Sequence, residues 1–195
     1  MSTKEKILEA ALTLFAENGY NGTSVDEIAK RVGIKAPSLY KHYKGKEEIL
    51  NVLIESAENR YEESFGSESH IGKIPETKDD FVRINMEKIR FTMLDPMIRK
   101  LRIFLVQEQF RNERLARITT KHQLGGLLQM YTKILDSMMQ KGTIAKDDPA
   151  LLAMELTAPV TILISRADRE PEYQEEMMEG IEKHLRHFCD IYMRE

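Results

Sequence analysis

The sequence is short of cysteine, tryptophan, proline and glycine: among 195 residues it has one cysteine, no tryptophan, 6 prolines and 10 glycines. A single cysteine, Cys189, cannot form an internal disulfide, so the chain is expected to reside in a reducing compartment. Its N-terminus has no continuous apolar run like that of a signal peptide, and its most apolar later run, residues 159–164, is far shorter than the ~20 residues that span a membrane. We therefore expect a cytoplasmic protein with no membrane partner.

Sequence patterns that carry catalysis or bind metal are also missing. The sequence has no glycine-rich phosphate loop. His184 and His187 lie close together in the sequence, but no set of Cys and His residues at ligand spacing accompanies them. Cys189, without a base partner, is interpreted as an ordinary thiol. The sequence therefore predicts a protein without enzymatic activity, metal or cofactor.

The residues that are abundant favour helices, because apolar residues recur at helical spacing along most of the chain. Ser2–Glu5 and Ser24–Glu27 each fit a capping box, which predicts a helix start. Gly19 and Gly33 are suited to end these first two helices. Pro37 suits the first position of a third, short helix that ends near residues 43–45. We predict an all-α protein with nine or ten helices.

The rest of the chain continues the helical pattern after one clear break. A long fourth helix is predicted over 46–65, and Gly, Ser and Pro cluster without apolar periodicity in 66–77. Later helices are predicted at about 78–94, 96–110, 112–142, 148–168 and 171–193. Pro159 is expected to kink the penultimate helix. The Gly125-Gly126 pair indicates either close helix packing or a bend, and the sequence does not distinguish the two.

Positive charge is concentrated in one short segment of a chain whose formal net charge is -3. Between residues 28 and 46 there is no Asp or Glu, and the cations are Lys30, Arg31, Lys35, Lys41, Lys44 and Lys46. The second and third helices, joined by a turn at 33–35, have the dimensions of a helix-turn-helix. A short helix with small and polar residues flanked by lysines suits the DNA major groove. The alternative interpretation is a solvated charged face over core aromatics.

Three motifs follow one another in this region. Phe15 leads to Gly19-Tyr20, residues 23–29 read TSVDEIA, and residues 33–50 read GIKAPSLYKHYKGKEEIL. In this order the motifs resemble the signature of TetR/AcrR-type transcriptional regulators, over about the first 50 residues. The resemblance implies an N-terminal three-helix helix-turn-helix DNA-binding domain, residues 1–46. It also implies a C-terminal helical ligand-binding and dimerisation bundle, residues 47–195, and a homodimer.

The resemblance also implies which residues meet DNA. It places two near phosphates at the start of the second helix, Thr23 and Ser24. It places five at or near base edges: Lys35, Ala36, Pro37, Ser38 and Lys41. Three more match positions that usually touch phosphates: Tyr40, His42 and Lys46. Tyr43 departs slightly from the pattern, since Phe is commoner there.

The C-terminal bundle offers candidates for two further sites. The candidate effector pocket residues are Tyr61, Phe65, Phe91, Phe104, Gln107, Phe110, Met130 and Tyr131, although each alone is more often a core residue. The candidate dimer contacts on the last two helices are Leu152, Leu156, Val160, Leu163, Ile181, Leu185, Phe188 and Ile191. The alternative for this second set is packing within one subunit.

These observations favour a ligand-responsive transcriptional repressor. It is expected to bind a near-palindromic double-stranded DNA operator as a homodimer, and a small-molecule effector is expected to release it. One alternative is an activator or a non-specific DNA binder with the same helix-turn-helix. The other is a small-molecule-binding helical protein or enzyme without specific operator binding.

Overall fold

The computed structural model describes residues 1–65 and 74–194. Within these ranges the regular structure is helical, apart from an isolated antiparallel bridge between Ile144 and Met193. The helices are α1 Thr3–Asn18, α2 Val25–Val32, α3 Ala36–Tyr40, α4 Lys46–Phe65, α5 Lys78–Leu94, α6 Pro96–Glu108, α7 Glu113–Thr120, α8 Gly126–Gln140, α9 Pro149–Arg169 and α10 Gln174–Tyr192. A π turn, Lys121–Gly125, joins α7 to α8, and a 3-10 turn, Pro171–Tyr173, precedes α10. The all-α prediction is confirmed; the predicted break at 66–77 falls mostly outside the described residues.

The predicted capping boxes are both present. The Ser2 hydroxyl accepts from the Glu5 amide at 3.3 Å, and the Ser2 amide donates to the Glu5 carboxylate at 2.6 Å. Ser24 and Glu27 form the same pair of bonds at the start of α2. Gly33 ends α2 with φ 78°, in the left-handed region that side chains other than glycine rarely adopt. Local sequence therefore sets the limits of the first two helices.

The chain forms two compact units. The first consists of Met1–Ser64 and Pro96–Arg117. In its core Phe15 of α1 stacks on Phe104 of α6, with ring centroids 5.5 Å apart. The domain boundary expected at residue 46 falls inside this unit, because α6 packs on α1 and the first turn of α4 bonds to the chain before α2.

The second unit consists of Phe65–Asp95 and Ile118–Glu195. Helices α5, α8, α9 and α10 enclose its core, in which Phe81 stacks on Phe188 at 5.9 Å. The chain that follows α8 pairs with the end of α10, where the Arg194 amide donates to the Thr143 carbonyl at 3.0 Å.

The Gly125-Gly126 pair lies where the π turn gives way to α8. A Cβ at Gly125 would meet the Thr120 carbonyl oxygen at 3.6 Å, an ordinary contact distance. Close packing therefore does not require glycine at 125, and the pair accompanies a change in helix geometry instead. Helix α9 continues through Pro159.

Candidate nucleic-acid interface

Helices α2 and α3 form a helix-turn-helix whose inner side is buried. Leu39 is fully buried and Tyr43 is nearly so, with its hydroxyl donating to the Lys4 carbonyl at 3.5 Å. The amide of Gly33 bonds back to α2, and the Ile34 amide donates to the Ala29 carbonyl at 3.0 Å. The turn between the two helices is therefore fixed by backbone bonds, and α3 has one face left for solvent.

Residues 35–42 include all five residues expected to meet base edges and two that are expected to touch phosphates. Four side chains are exposed: Lys35, Pro37, Tyr40 and Lys41. Three are half-buried: Ala36, Ser38 and His42. The helix is shorter than predicted, because it ends at Tyr40 and residues 41–42 form a turn. The structure thus brings these seven residues together on one short segment.

Thr23 requires a correction. Its side chain is buried, and its hydroxyl lies 2.9 Å from the Gly19 carbonyl and 3.1 Å from the Leu14 carbonyl, both acceptors. A hydroxyl that is 1% exposed and already donates inside the protein cannot reach a phosphate in this conformation. Thr23 therefore holds the chain between α1 and α2.

Ser24 is exposed, but its groups are used locally. The hydroxyl accepts from the Glu27 amide at 3.2 Å and donates to the Glu27 carboxylate at 2.7 Å. These bonds hold the pKa of Glu27 below its usual value. The residue is first of all the N-cap of α2.

Lys46 is also engaged inside the first unit. Its ammonium donates to the carbonyls of Tyr20, at 2.7 Å, and Thr23, at 3.1 Å. It also lies 4.5 Å from the centroid of the Tyr20 ring, and burial of that ring raises the pKa of Tyr20. Its expected role as a phosphate contact competes with these three interactions.

The positive charge counted in residues 28–46 is not all available to attract DNA. Arg31 pairs with Glu17 through two bonds, of 2.7 and 3.3 Å, so its charge is partly offset. Lys44, in the turn after α3, is exposed and was missing from the expected DNA contacts. Its place in the uncompensated run of cations was the signal that would have included it.

Three of the eight expected pocket residues lie in a core or at the surface. Phe104 is buried on Phe15 in the core of the first unit. Gln107 is exposed and Phe110 is 90% exposed, so the structure corrects the assignment of these two residues. The side chain of Phe65 lies outside the described residues. The remaining candidates are Tyr61, Phe91 and Met130, all half-buried, and Tyr131, which is buried.

A polar pair lies in the core of the second unit and was not foreseen. Tyr131 donates its hydroxyl to the Asn85 side-chain oxygen, and the Asn85 amide donates to the Phe81 carbonyl at 2.8 Å. Burial raises the pKa of Tyr131 far above its usual value. Tyr131 is therefore tied to α5 through its hydroxyl.

A shallow groove of about 290 Å³ lies between the start of α5 and the end of α10. The cations that line it are paired: Lys78 lies 3.2 Å from Asp190, and Arg186 lies 3.6 Å from Asp79. Cys189 lines the groove too, and burial raises its pKa to about 11. Among the described residues no cluster of three or more His, Cys, Asp and Glu side chains is arranged to hold a metal.

The expected dimer contacts on α9 and α10 are largely internal. Leu152, Leu156, Ile181, Leu185 and Phe188 are buried in the unit's own core, which corrects their assignment to an interface. Val160 is buried in the same core, Leu163 is half-buried, and Ile191 is exposed.

A different set of residues on α9 is open to solvent. Leu151 is 47% exposed, Met154 53% and Ile162 67%, at spacings that place them along one side of the helix. By length and composition α9 is apolar enough to cross a membrane, with 28% of its most apolar window buried. One helix of this kind is weak evidence for a span. Leu151, Met154 and Ile162 together form the apolar stripe of α9.

The all-helical fold and the α2–α3 geometry define a helix-turn-helix protein. Residues 7–53 match the family described as bacterial regulatory proteins, tetR family. This match spans the helix-turn-helix, so the N-terminal part of the chain is similar to that family.

The chain is also similar to known regulators and to solved structures. The chain is 50% identical over 58 residues to the biofilm operon icaADBC HTH-type negative transcriptional regulator IcaR of Staphylococcus epidermidis. That match covers 30% of this chain and 31% of IcaR, so it spans about a third of the relative's length.

Two solved structures resemble the fold of the chain over nearly its full length. One is a complex of SmeT, the repressor of the Stenotrophomonas maltophilia multidrug efflux pump SmeDEF, with triclosan: TM-score 0.78, 22% identity, 100% of this chain and 93% of that one. The other is AibR in complex with isovaleryl coenzyme A and operator DNA: TM-score 0.64, 21% identity, 93% and 96% coverage. At these identities the likeness shows the fold alone.

Proposed function

We propose that the protein is a transcriptional repressor that binds a near-palindromic operator as a homodimer and is released by a small-molecule effector. The observation that carries the proposal is the outer face of α3, where Lys35, Tyr40 and Lys41 are exposed beside a buried Leu39. A short helix anchored on one side and basic on the other fits the major groove. The protein acts in the cytoplasm, where the operator is.

DNA recognition divides between the side chains of this face. Lys35, Ala36, Pro37, Ser38 and Lys41 approach base edges, while Tyr40, His42 and the exposed Lys44 contact phosphates. The net charge of -3 makes the rest of the chain repel DNA, so the basic segment sets the orientation of docking.

Dimerisation is supported by the apolar stripe on α9. Three large apolar side chains on one side of a helix are costly to leave in water, and a second copy of the chain would cover them. A two-fold dimer would place its two α3 helices about 34–36 Å apart, matching successive turns of the major groove.

Release by a small molecule is supported by the complexes of proteins with this fold, one with triclosan and the other with isovaleryl coenzyme A. Tyr61, Phe91, Met130 and Tyr131 remain the candidate effector contacts in this chain. An effector releases DNA only if it binds more tightly to a conformation in which the α3 spacing no longer matches the groove. Repression rather than activation is supported by the similarity to IcaR, a negative regulator.

The proposal is tested by selecting bound duplexes from a random-sequence pool with the full-length chain and then footprinting the selected site. We expect one short, near-palindromic footprint. Tyr40→Ala should reduce affinity for that site by at least about tenfold, the loss expected for a well-placed contact to DNA. Phe110→Ala, an exposed aromatic away from α3, is the matched control and should bind like the wild type.

Other outcomes point to the alternatives. Uniform coverage of every duplex indicates a non-specific DNA binder. A specific footprint together with raised transcription in a reporter assay indicates an activator. Failure to recover any sequence above background contradicts operator binding as the main role and favours a small-molecule-binding protein.

A further inference from the structure

The ammonium of Lys46 is the centre of a set of contacts that joins the start of α4 to the chain between α1 and α2. It donates to two backbone carbonyls, those of Tyr20 and Thr23, and lies against the Tyr20 ring. Lys46 is half-buried, whereas Lys41 and Lys44 are exposed. Lys46 therefore differs from its neighbours in the basic segment, because its donors point into the protein.

The chain that Lys46 holds determines where α2 begins. Thr23 bonds back to α1 through its hydroxyl, and the next residue, Ser24, caps α2. Because α2 and α3 are fixed to each other by the Gly33–Ile34 turn, a shift of residues 20–24 also moves α3. Lys46 thus acts on the face of α3 through the start of α2.

Turning this ammonium toward a phosphate would have a cost inside the protein. Two carbonyls in an irregular turn would lose a charged donor, and hydrogen bonds to charged groups are stronger than neutral ones. The contact with the Tyr20 ring would also be lost. A lysine with a free side chain meets no such cost.

We propose that Lys46 is a positioning residue of the helix-turn-helix and not a phosphate contact: it fixes residues 20–24, and through them the orientation of α2 and α3. The inference rests on the proposed DNA binding for its effect on affinity, but not for its effect on the turn. It leaves Lys44 as the lysine of the basic segment that contacts a phosphate.

Salt dependence separates the two roles. Each phosphate that a lysine neutralises contributes about 0.9 to the slope of log affinity against log salt concentration. We expect Lys44→Met, which removes an exposed lysine proposed to contact a phosphate, to lower that slope by about 0.9 on the selected duplex. Lys46→Met should lower DNA affinity about tenfold while keeping the wild-type slope, since it loosens the helix-turn-helix without removing a phosphate contact. Lys46→Arg, which keeps the charge and several donors, should recover most of the affinity.

Amide hydrogen exchange of the free protein gives a second readout that needs no DNA. Lys46→Met should speed amide exchange of residues 20–27 by about tenfold, and Lys44→Met should leave their exchange unchanged. If Lys46→Met does not fold, Tyr20→Leu is the second variant. It keeps the carbonyl acceptor, removes the ring contacts with the Lys46 ammonium and with Phe15, and should speed exchange at the same amides.

The outcomes are distinct. A slope lowered by about 0.9 in Lys46→Met, with unchanged exchange at 20–27, overturns the inference and restores the phosphate role. If the wild type selects no duplex, the proposed function fails but the exchange experiment still decides the inference. Unchanged exchange in both Lys46→Met and Tyr20→Leu overturns it in that case.

Discussion

Arg114 of α7 pairs with Glu47 in the first turn of α4, with 3.1 Å between the guanidinium Nη1 and the carboxylate Oε1. Arg114 also donates to Asn51, one turn further along α4. Glu47 follows Lys46, so the first turn of α4 is held by α7 on one side and bonds to the chain before α2 on the other. A change in α7 therefore has a short physical route to the helix-turn-helix.

The Glu47–Arg114 pair is expected to contribute little to the free energy of unfolding and more to DNA affinity. Both side chains are partly exposed, so Arg114→Glu should lower the free energy of unfolding by only about 1 kcal/mol. The combined Glu47→Arg and Arg114→Glu variant should recover part of that loss in urea unfolding at low salt and less at high salt.

The control for this pair is Arg117, which pairs with Glu113 within α7 itself. Arg117→Glu removes a similar surface pair without touching α4. We expect it to leave affinity for the selected duplex unchanged, whereas Arg114→Glu lowers it. Equal effects of the two variants on DNA affinity would argue against a route through α4.

Gly19 and Gly33 both have positive φ, 74° and 78°, but only Gly19 is crowded. A Cβ at Gly19 would lie 2.7 Å from the Glu108 carboxylate oxygen, whose side chain is buried, while nothing lies within 4 Å at Gly33. Gly33→Ala should cost about 1–2 kcal/mol from backbone strain, and Gly19→Ala should cost clearly more. Chemical denaturation of the two variants is the measurement, and equal losses would mean that Glu108 moves aside freely.

Thr23→Val tests whether the buried hydroxyl is structural. The substitution keeps the shape but removes the donor to the Gly19 and Leu14 carbonyls, so we expect a loss of about 1–3 kcal/mol in the free energy of unfolding. Thr23→Ser should retain most of the stability. A lowered salt slope of DNA binding in Thr23→Val, without loss of stability, would instead favour the phosphate contact that the family resemblance implies.

Tyr131→Phe removes the donor to a buried Asn85 oxygen. Because that oxygen would be left without its partner in the core, the variant should lose about 1–3 kcal/mol. Tyr192→Phe is the matched control: its hydroxyl bonds to Glu155 at the surface, so the loss should stay within about 0.5 kcal/mol. Thermal unfolding of both variants decides, and similar midpoints would contradict the buried bond.

Ile162→Glu tests the apolar stripe as the dimer surface. The side chain is 67% exposed, so the charge should be tolerated in the folded chain while it disrupts a subunit contact. We expect light scattering to show a monomer with unchanged helical content. Phe110→Glu, which alters an exposed apolar residue outside the stripe, should remain dimeric. A monomeric wild type would refute the dimer, and a dimeric Ile162→Glu would move the interface elsewhere.

Local patterns predicted the helix limits well because their causes lie within a few residues. Both capping boxes and the end of α2 at Gly33 are confirmed, and α9 begins one residue after the Asp148 cap. The end of α3 was predicted too late, since the burial of Leu39 and the bond of Tyr43 to α1 follow from tertiary packing and not from a stop signal in the sequence.

The roles of surface and core residues were predicted less well. Helix α9 is apolar on two sides, and periodicity shows which residues share a side but not which side meets the subunit's own core. Leu152 and Leu156 face the core, whereas Met154 and Ile162 face solvent. Periodicity alone does not decide between these two arrangements. Phe104 and Phe110 are both apolar on α6 or just after it, yet one is core and the other almost fully exposed.

The sequence by itself determined the helical class, the resemblance of the N-terminal part to the tetR family and the short segment proposed to face DNA, because capping, helix periodicity and the order of the 15–50 motifs are local. Only the tertiary structure decided that Thr23 and Lys46 bond to the turn before α2 and that α6 packs on α1. Those contacts join residues far apart in the chain. A hydroxyl or ammonium has the same chemistry whether it meets a carbonyl or a phosphate, so its partner is set by the fold that surrounds it.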